Sequence, residues 1–598
     1  MVKLANYFYF VDQDKVSVYS FNALSVKIQN TIQFKYENML SMTHQRTSIL
    51  LLWIPVIVMI TAIAFATQMY PIYANAWFYG QDPAYQYLFA GVDILQGNAP
   101  AHNDHPGTPL QTLIAMTIAV VWFVQHSVGM TPHEMFVSVL ATPETYLLSV
   151  SAIVILLNTF AIFFLGRQMF QATKSLLAAW ICQLTPLLFG LVSPNLLYPS
   201  PESLLWCLSL CLFAVLTPSL VGDRLKAGPV KSKVALLAGV LCGMGLAVKV
   251  TFLPLVGLLI VLGSWRLIAL SFAALMFSWF VGVLPIYKRL GAMFEWFYKV
   301  FSHSGLHGAG QNTMFNADQL VQNFTYVRNM YPLLEYAVWL MLAVGLYRMT
   351  KTLMGLADFG AQRAKFGSDL PQRTQHTSWT PLVSLSLVAV AQATMVAKHP
   401  GPTYMIPALP IAPIAAILAI ETLKFIKGSV TFKFGMQALL LAFAGYLAVT
   451  SSIGAYRAIG AHHMRGTQAN QLVQNEINKY SNPVLIGTFN CTLPLCALWF
   501  GQLMAPGMGL KMEDITKDFY HFDIFSKSLQ APGKGSLSEK DTELTLANLL
   551  DAERTVLLIS PPYEQLANFE LEKLVTTPVQ DLYRVKRFTP GQAGKQQP

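Results

Sequence analysis

Residues 49–69, ILLLWIPVIVMITAIAFATQM, form a long apolar run, and the acidic, aromatic stretch GQDPAYQYLFAGVDILQGNAPAHNDHPGTP follows at residues 80–109. Between Arg46 and Arg167 the chain has no Lys or Arg. An apolar segment of about 20 residues, with basic residues before it and only carboxylates after it, is typical of a first transmembrane helix that leaves the cytoplasm. The acidic stretch is therefore predicted to lie outside, where carboxylates beside Tyr and His side chains can bind polar substrates and transfer protons.

The composition indicates a polytopic membrane protein. Of the 598 residues, 54% are hydrophobic and 12% are charged, whereas soluble domains usually have about 25% charged residues. The formal net charge of +10 comes from short basic clusters between apolar runs, which the positive-inside rule explains without nucleic acid as a partner.

About eleven spans give a consistent path through the membrane, with basic residues in alternate connections. The predicted spans are 49–69, 145–166, 175–193, 203–221, 234–249, 252–264, 267–287, 333–348, 380–397, 403–422 and 434–454. The apolar stretch 108–128 would reverse the alternation if it crossed, so it is predicted to lie in, or dip into, the outer interface. The N-terminus is then inside and the C-terminus outside.

The chain is predicted to have three parts. Residues 1–48 are polar, with no cleavable signal, and Met39 and Met42 lie just before the first span, so a later start codon would omit this part. The parts are an N-terminal cytoplasmic extension (1–48), a transmembrane catalytic module (49–454) with its first outer loop (70–144), and an extracytoplasmic domain (455–598).

The C-terminal domain is predicted to be a small α/β domain. The β-rich runs PVLIGTF (483–489), RTVLLIS (554–560) and LYRVKRF (582–588) alternate with helical segments such as ELTLANLLDAER, a pattern typical of that class. Cys491 and Cys496, in CTLPLC, are predicted to form a disulfide in an oxidising compartment or to remain free thiols. The other cysteines lie in spans as packing residues.

Asp82 begins an amphipathic helix in the first outer loop. Pro83 takes the first helical position and Gly97 follows the last, which fits Asp82 as the N-cap. A cap holds its side chain in place, so the same carboxylate can also be catalytic. Asp104 and His105 precede a Pro-Gly pair, where they either form a turn or contact substrate.

The order of several short motifs resembles the polytopic GT-C glycosyltransferases, in the branch of the protein O-mannosyltransferases and the lipid A aminoarabinose transferases. The matching segments, over roughly residues 49–422, are the Asp82 helix, HPGTPLQTL, FFLGRQMF, YPSPESLLW (198–206), GLAVKVTFLP (245–254) and KHPGPTYMIPALP (398–410). Two positions depart from the family pattern, because Pro83 stands in place of a Glu and HPG in place of HPP.

The resemblance implies transfer of a sugar from a polyprenyl-phosphate carrier to a lipid, glycan or protein acceptor on the outer face. Asp82 would be the general base that takes the proton of the acceptor hydroxyl, and Lys249, Lys398 and His399 would stabilise the phosphate leaving group. No cofactor or metal is indicated; a divalent cation is compatible with the chemistry. The expected location is the bacterial inner membrane.

Each of these residues could instead have a purely structural role. Lys249 and Lys398 could extend their ammonium groups to the lipid headgroups, and Tyr404 could shape a span. Glu202, if buried, needs a cation, and Lys249 is the predicted partner. The segment 288–332, with His303 and His307, is either a lid over the site or a connection, and its histidines lack the carboxylates of a metal site.

Two other classes of protein fit the composition. A transporter or lipid flippase would also have many spans and buried cations, but the sequence shows none of the internal repeats that are usual in transporters. A non-catalytic scaffold would leave the polar residues at the span ends without a purpose. The glycosyltransferase is the prediction that uses the most observations.

Overall fold

The computed structural model describes residues 47–588 apart from 70–83, 103–106, 127, 130, 190–198, 222–231, 304–311, 314–316, 367–379, 402, 428–429, 489–490, 492, 503–517, 524–527, 532–534, 553, 561–565 and 567–568. Two compact units are recognised, Met1–Ile54 and Pro55–Pro598. Of the first unit only residues 47–54 are described, and everything below concerns the second.

The transmembrane part is a bundle of α-helices interrupted by 3₁₀ segments. The helices are α1 (Trp53–Met69), α2 (Gln86–Leu95), α3 (Thr108–His126), α4 (Pro132–Ala141), α5 (Pro143–Thr173), α6 (Leu176–Gln183), α7 (Thr185–Leu188), α8 (Pro201–Leu220), α9 (Ser232–Val248), α10 (Trp265–Val283), α11 (Leu290–Ser302), α12 (Ala317–Met330), α13 (Pro332–Phe366), α14 (Thr380–Lys398), α15 (Ile411–Lys427) and α16 (Val430–Ile477). The 3₁₀ segments are Val250–Leu262, Leu284–Arg289 and Ile406–Ala408.

Within the described residues, six helices are long and apolar enough to cross a membrane, or seven if the bent pair α12 and α13 is one span. The protein is therefore an integral multi-pass membrane protein, with fewer continuous spans than the predicted eleven. Proline explains part of the difference, because it removes a backbone donor and interrupts a helix. The predicted span 175–193 is divided into α6 and α7 next to Pro186, and 403–422 contains a turn, a 3₁₀ segment and α15.

Helix α3 corresponds to the stretch that was predicted to be interfacial. By length and composition it could also cross a membrane. Its surroundings favour the interface: the Tyr85 hydroxyl, before α3, donates to the Glu144 carboxylate, after α3, at 2.7 Å. Both residues are thus at one end of the bundle, and α4, at 10 residues, is only about 15 Å long and too short to return across a bilayer.

Contacts at the predicted cytoplasmic end join segments that the basic residues assign to the same side. Lys433 pairs with Glu421 at 2.6 Å and donates to the carbonyl of Thr173 at 3.3 Å. The Ser175 hydroxyl donates to Gln437 at 2.6 Å. These contacts agree with the predicted alternation, because each joins segments near predicted cytoplasmic connections.

The C-terminal domain contains a mixed seven-stranded sheet, in the order β4-β3-β2-β1-β5-β7-β6. Its elements are β1 (Val484–Thr488), α17 (Pro494–Gln502), β2 (Phe519–Asp523), β3 (Ser528–Ala531), β4 (Gly535–Ser536), α18 (Glu539–Asp551), β5 (Val556–Ser560), β6 (Phe569–Thr576) and β7 (Asp581–Phe588). The central strand β1 pairs in parallel with β2 and β5. The three predicted strands are confirmed as β1, β5 and β7, and the predicted helix as α18.

Two features of this domain refine the sequence analysis. The predicted boundary between residues 454 and 455 lies inside α16, a continuous helix of 48 residues that runs from the bundle into the domain. Cys491 and Cys496 form a disulfide, so the disulfide alternative is confirmed. Both cysteines pack in a core with Trp499 and Phe519.

Cysteine labelling from outside tests the position of α3. Val128, two residues after the end of α3, is 85% exposed, and Leu544 in the C-terminal domain is 58% exposed. Val128→Cys and Leu544→Cys should both react with an impermeant thiol reagent applied from outside, whereas Ala227→Cys, in a predicted cytoplasmic connection, should not. The parent protein is the control for background. Labelling at 128 only after permeabilisation would mean that α3 crosses the membrane.

Candidate active site

Three of the predicted site residues, Asp82, Asp104 and His105, lie outside the described residues, as does Pro83. The helix predicted to follow Asp82 is present as α2, preceded by a short π-helical turn at Ala84 and Tyr85. It ends as predicted, because Gly97 has a φ of +75°, a conformation that favours glycine after a helix.

Glu202 and Lys249 form the centre of the described site. The Lys249 Nζ lies 2.6 Å from the Glu202 Oε1, and only 7% and 9% of the two side chains are exposed. The ion pair predicted between these residues is therefore present. Removing one partner of such a pair leaves an uncompensated buried charge, which typically costs about 3–5 kcal/mol.

Each partner sits where a helix begins or ends. Ser200 caps α8 by accepting from the Ser203 backbone N–H, and Pro201 follows at the first helical position, so Glu202 lies in the first turn. There the helix dipole favours a carboxylate. Lys249 has an extended backbone, with φ −163° and ψ 139°, between α9 and the 3₁₀ segment Val250–Leu262. Its side chain therefore leaves the chain at a break between two helices.

The turn after α14 closes the site. The Thr403 hydroxyl donates to the Glu202 Oε1 at 3.4 Å, and the Lys249 Nζ lies 4.4 Å from the centre of the Tyr404 ring. A cation over an aromatic face is attracted by the ring. Tyr404 was a predicted site residue; Thr403 was not, although it lies beside Tyr404 in the same motif.

Lys398 and His399 have contacts that differ from the predicted contact with phosphate. The Lys398 ammonium donates to the Phe301 carbonyl, and the His399 Nε2 lies 2.9 Å from the Val300 carbonyl. Both carbonyls belong to the last turn of α11, where backbone acceptors have no partner within the helix and cations are favourable. Both residues thus contact the end of α11, and their contact with the phosphate stays a prediction.

The segment 288–332 contains two helices, α11 and α12, in its described part. Asn323 of α12 donates to the Ala397 carbonyl at 2.9 Å, so both helices contact the end of α14. His303 lies next to Ser302 and the Lys299 carbonyl, and His307 is outside the described residues. Among the residues that the structure describes, no group of three or more His, Cys, Asp or Glu side chains could hold a metal ion.

The first outer loop reaches the ion pair through Gly107. Its backbone N–H donates to the Val248 carbonyl at 3.0 Å, next to Lys249. Gly107 has a φ of +59°, and a Cβ there would lie 2.3 Å from the Tyr87 ring. Both the backbone conformation and the collision with Tyr87 therefore disfavour any other residue at this position. Gly107 is thus held against the break between helices from which the Lys249 side chain projects.

Asp93 is a buried carboxylate of the first outer loop that the sequence analysis did not select. It is 2% exposed, and burial raises the pKa of its carboxyl to about 7, although the Arg289 guanidinium and a hydrogen bond from the Ala101 backbone lower it. An acidic residue near the end of an apolar helix was the only sequence signal for it.

The structure is similar to those of two kinds of membrane glycosyltransferase. ArnT from Cupriavidus metallidurans, in a crystal structure bound to undecaprenyl phosphate, is 11% identical with a TM-score of 0.46, over 88% of this chain and 97% of that one. The oligosaccharyltransferase of Archaeoglobus fulgidus, in complex with zinc and sulfate, is 12% identical with a TM-score of 0.36, over 75% and 61%.

No protein-family model and no curated protein matches the chain. Both similar structures are GT-C glycosyltransferases. With TM-scores below 0.5, this similarity assigns neither a substrate nor a catalytic residue to the chain.

The raised pKa of Asp93 predicts how stability depends on pH. The folded protein holds this proton more tightly than the unfolded chain does, with a pKa of about 7 against 3.8. The resulting stabilisation is complete below pH 3.8 and is lost as the pH rises through 7. Asp93→Asn is neutral throughout, so the fall in unfolding midpoint between pH 5 and pH 8 should be smaller than in the wild type. Asp318→Asn, at an exposed carboxylate, is the control and should keep the wild-type slope; an Asp93→Asn variant with that same slope would contradict the prediction.

Proposed function

We propose that this protein is a membrane glycosyltransferase that moves a sugar from a polyprenyl-phosphate carrier to an acceptor on the outer face of the membrane. The observation that carries the proposal is the buried pair of Lys249 and Glu202, whose charged groups lie 2.6 Å apart. The pair lies where α8 begins and α9 ends, beside the turn that follows α14. The first outer loop reaches the same point, because Gly107 donates to Val248. A cation held among apolar walls stabilises the charge that develops on a phosphate leaving group.

Lys249 is the proposed contact of the carrier phosphate. Glu202 holds the ammonium group in position, and the Tyr404 ring lies against it at 4.4 Å. When the phosphate enters, the Lys249 ammonium has a second anionic neighbour besides Glu202. The net charge of Lys249, Glu202 and the phosphate together is then negative. Thr403, which donates to Glu202, can then keep the carboxylate oriented while Lys249 turns to the phosphate.

Asp82 is the proposed general base. It takes the proton of the acceptor hydroxyl as that oxygen attacks the anomeric carbon, while the bond from that carbon to the phosphate oxygen breaks and the polyprenyl phosphate leaves. Asp82 precedes Tyr85 by three residues in the chain, and the hydrogen bond from Tyr85 to Glu144 fixes the start of α2. Burial raises the pKa of the Tyr85 hydroxyl, so it remains a donor. Asp104 and His105 lie three and two residues before Gly107 and are proposed to contact the sugar or the phosphate.

The proposed topology has about eleven spans, the N-terminus inside, and the first outer loop and C-terminal domain outside, in the bacterial inner membrane. Interrupted spans are compatible with this topology, because non-helical backbone can lie within a membrane where other parts of the protein supply its hydrogen-bond partners. The acceptor is a lipid, a glycan or a protein that presents a hydroxyl at this face.

Paired substitutions separate a structural role of the ion pair from a functional one. Lys249→Met and Glu202→Gln each leave one buried charge and should lower the unfolding midpoint, whereas the double variant leaves none and should recover most of it. Transfer from a panel of polyprenyl-phosphate sugars should not recover, because the ammonium is absent. Lys249→Arg should keep part of the activity.

The pair of Lys433 and Glu421 is a matched control. It has the same 2.6 Å distance, side chains that are 12% and 14% exposed, and a position at the predicted cytoplasmic end. Lys433→Met with Glu421→Gln should show the same pattern of stability and leave transfer near the wild-type rate. If the Lys249→Met, Glu202→Gln double variant transferred sugar at the wild-type rate, the pair would have only a structural role.

Asp82→Asn tests the general base. Asn is about as good an N-cap as Asp, so the variant should fold and should still bind donor, but it has no carboxylate to accept the proton. General-base assistance is typically worth about 10²- to 10⁴-fold, so we expect transfer to fall by at least about 10²-fold with an unchanged unfolding midpoint. Near-normal turnover would leave Asp82 as a helix cap only.

A further inference from the structure

Gln392 joins two of the segments that form the site. It lies in α14, six residues before Lys398, and is fully buried. Its side-chain Nε2 donates to the Thr251 carbonyl at 3.0 Å and to the Tyr404 carbonyl at 2.8 Å. An amide group has two N–H donors, and both are therefore used on backbone acceptors of other segments.

Both carbonyls lack their ordinary partner for the same chemical reason. In a 3₁₀ arrangement the carbonyl of residue i accepts from the N–H of residue i+3. For Thr251 that residue is Pro254, inside the 3₁₀ segment, and proline has no backbone N–H.

The turn after α14 repeats this pattern. Ile406 donates to the Thr403 carbonyl at 3.1 Å and Ala408 to the Met405 carbonyl at 3.0 Å, both three residues back. The donor for Tyr404 would be residue 407, which is again a proline. The sequences TFLP (251–254) and YMIP (404–407) thus each free one carbonyl, and buried carbonyls need partners.

The two segments are those that bring the cation and the ring together. Thr251 follows Lys249 by two residues, and Tyr404 carries the ring that lies 4.4 Å from the Lys249 Nζ. The Ser209 hydroxyl of α8 also donates to the Pro407 carbonyl, at 2.5 Å, which ties the same turn to the helix that begins next to Glu202.

We propose that Gln392 is a positioning residue for the phosphate-binding group of Lys249 and Tyr404. Its amide holds the segment after Lys249 and the turn of Tyr404 at a fixed separation by satisfying both proline-freed carbonyls at once. This inference rests on the proposed function, because the phosphate contact of Lys249 belongs to that proposal. The link that Gln392 makes between the two segments rests on the two described hydrogen bonds alone.

The test uses the full-length protein in detergent, with undecaprenyl phosphate as the probe. The unfolding midpoint without probe reports stability, and its rise with probe concentration reports affinity. Gln392→Met keeps the side-chain volume but removes both donors. Gln437→Met is the matched control, because Gln437 is also buried and accepts from Ser175 at 2.6 Å at the predicted cytoplasmic end.

Pro407→Ala supplies a rescue. It restores a backbone N–H three residues after Tyr404, so in the Gln392→Met background the Tyr404 carbonyl regains a donor from its own turn. Measured alone, Pro407→Ala gives the baseline of the double-mutant cycle. A role confined to filling space would show no such rescue.

We expect Gln392→Met to bind the probe at least about tenfold more weakly than the wild type, Gln437→Met to bind it normally, and Pro407→Ala to restore part of the affinity of Gln392→Met. Unchanged affinity in Gln392→Met, or an equal loss in Gln437→Met, would overturn the proposal, and so would a loss that Pro407→Ala does not relieve.

Failure of the proposed function gives a different result. If the wild type does not bind undecaprenyl phosphate, the phosphate-binding role of Gln392 is overturned together with that of Lys249. The link that Gln392 makes between the two segments is then judged by stability alone. Coupled effects of Gln392→Met and Pro407→Ala on the unfolding midpoint support this link, and additive effects overturn it.

Discussion

The ion pair of Lys249 and Glu202 is the constraint on which the site depends. Two charges that are 7% and 9% exposed, in a bundle of apolar helices, are tolerable only with close, correctly placed partners. In this pair both partners come from helix ends, where the backbone departs from the helical repeat. The pair therefore lies where α8 begins, where α9 gives way to a 3₁₀ segment, and beside the turn after α14.

The prolines that create these interruptions also create needs for hydrogen-bond partners. Each interrupts a helix and removes one backbone donor, and a buried carbonyl without a partner is costly. The described structure meets the needs with polar side chains from neighbouring helices: Gln392 donates to the carbonyls freed by Pro254 and Pro407, and Ser209 donates to the Pro407 carbonyl itself. The polar residues buried near the site thus have a backbone role before any role toward a substrate, and that role fixes the distance between the cation and the aromatic ring.

Local patterns predicted much of this, and their failures have physical causes. The end of α2 at Gly97, the strands β1, β5 and β7, and the Lys249–Glu202 pair follow from rules about glycine, apolar runs and buried charge. Four strands were missed, namely β2, β3, β4 and β6. Strands β3 and β4 are short, and β6 is a partly exposed edge strand. Strand β2 is as long as β1 and β5, but its sequence FYHFD includes His and Asp and is not a continuous apolar run. The contacts of Lys398 and His399 with the end of α11 could not be predicted, because the sequence does not give the position of that helix. Gln392 could not be selected, since one Gln in an apolar helix gives no sign of which distant carbonyls it meets.

The first outer loop and the C-terminal domain depend on each other through α2. Every residue from Gln86 to Asp93 is buried, including both polar ends of that stretch, although its sequence pattern is that of a helix with one exposed face. The helices packed around α2 include α3, α5 and α17, and α17 belongs to the C-terminal domain. Moving α17 away would expose apolar side chains of α2 to water, at about 25 cal/mol for each Å². The segment that follows Asp82 is therefore held in place by α3 and α5 of the helical bundle and by the disulfide-bonded region of α17 in the C-terminal domain, so this domain forms part of the frame of the site.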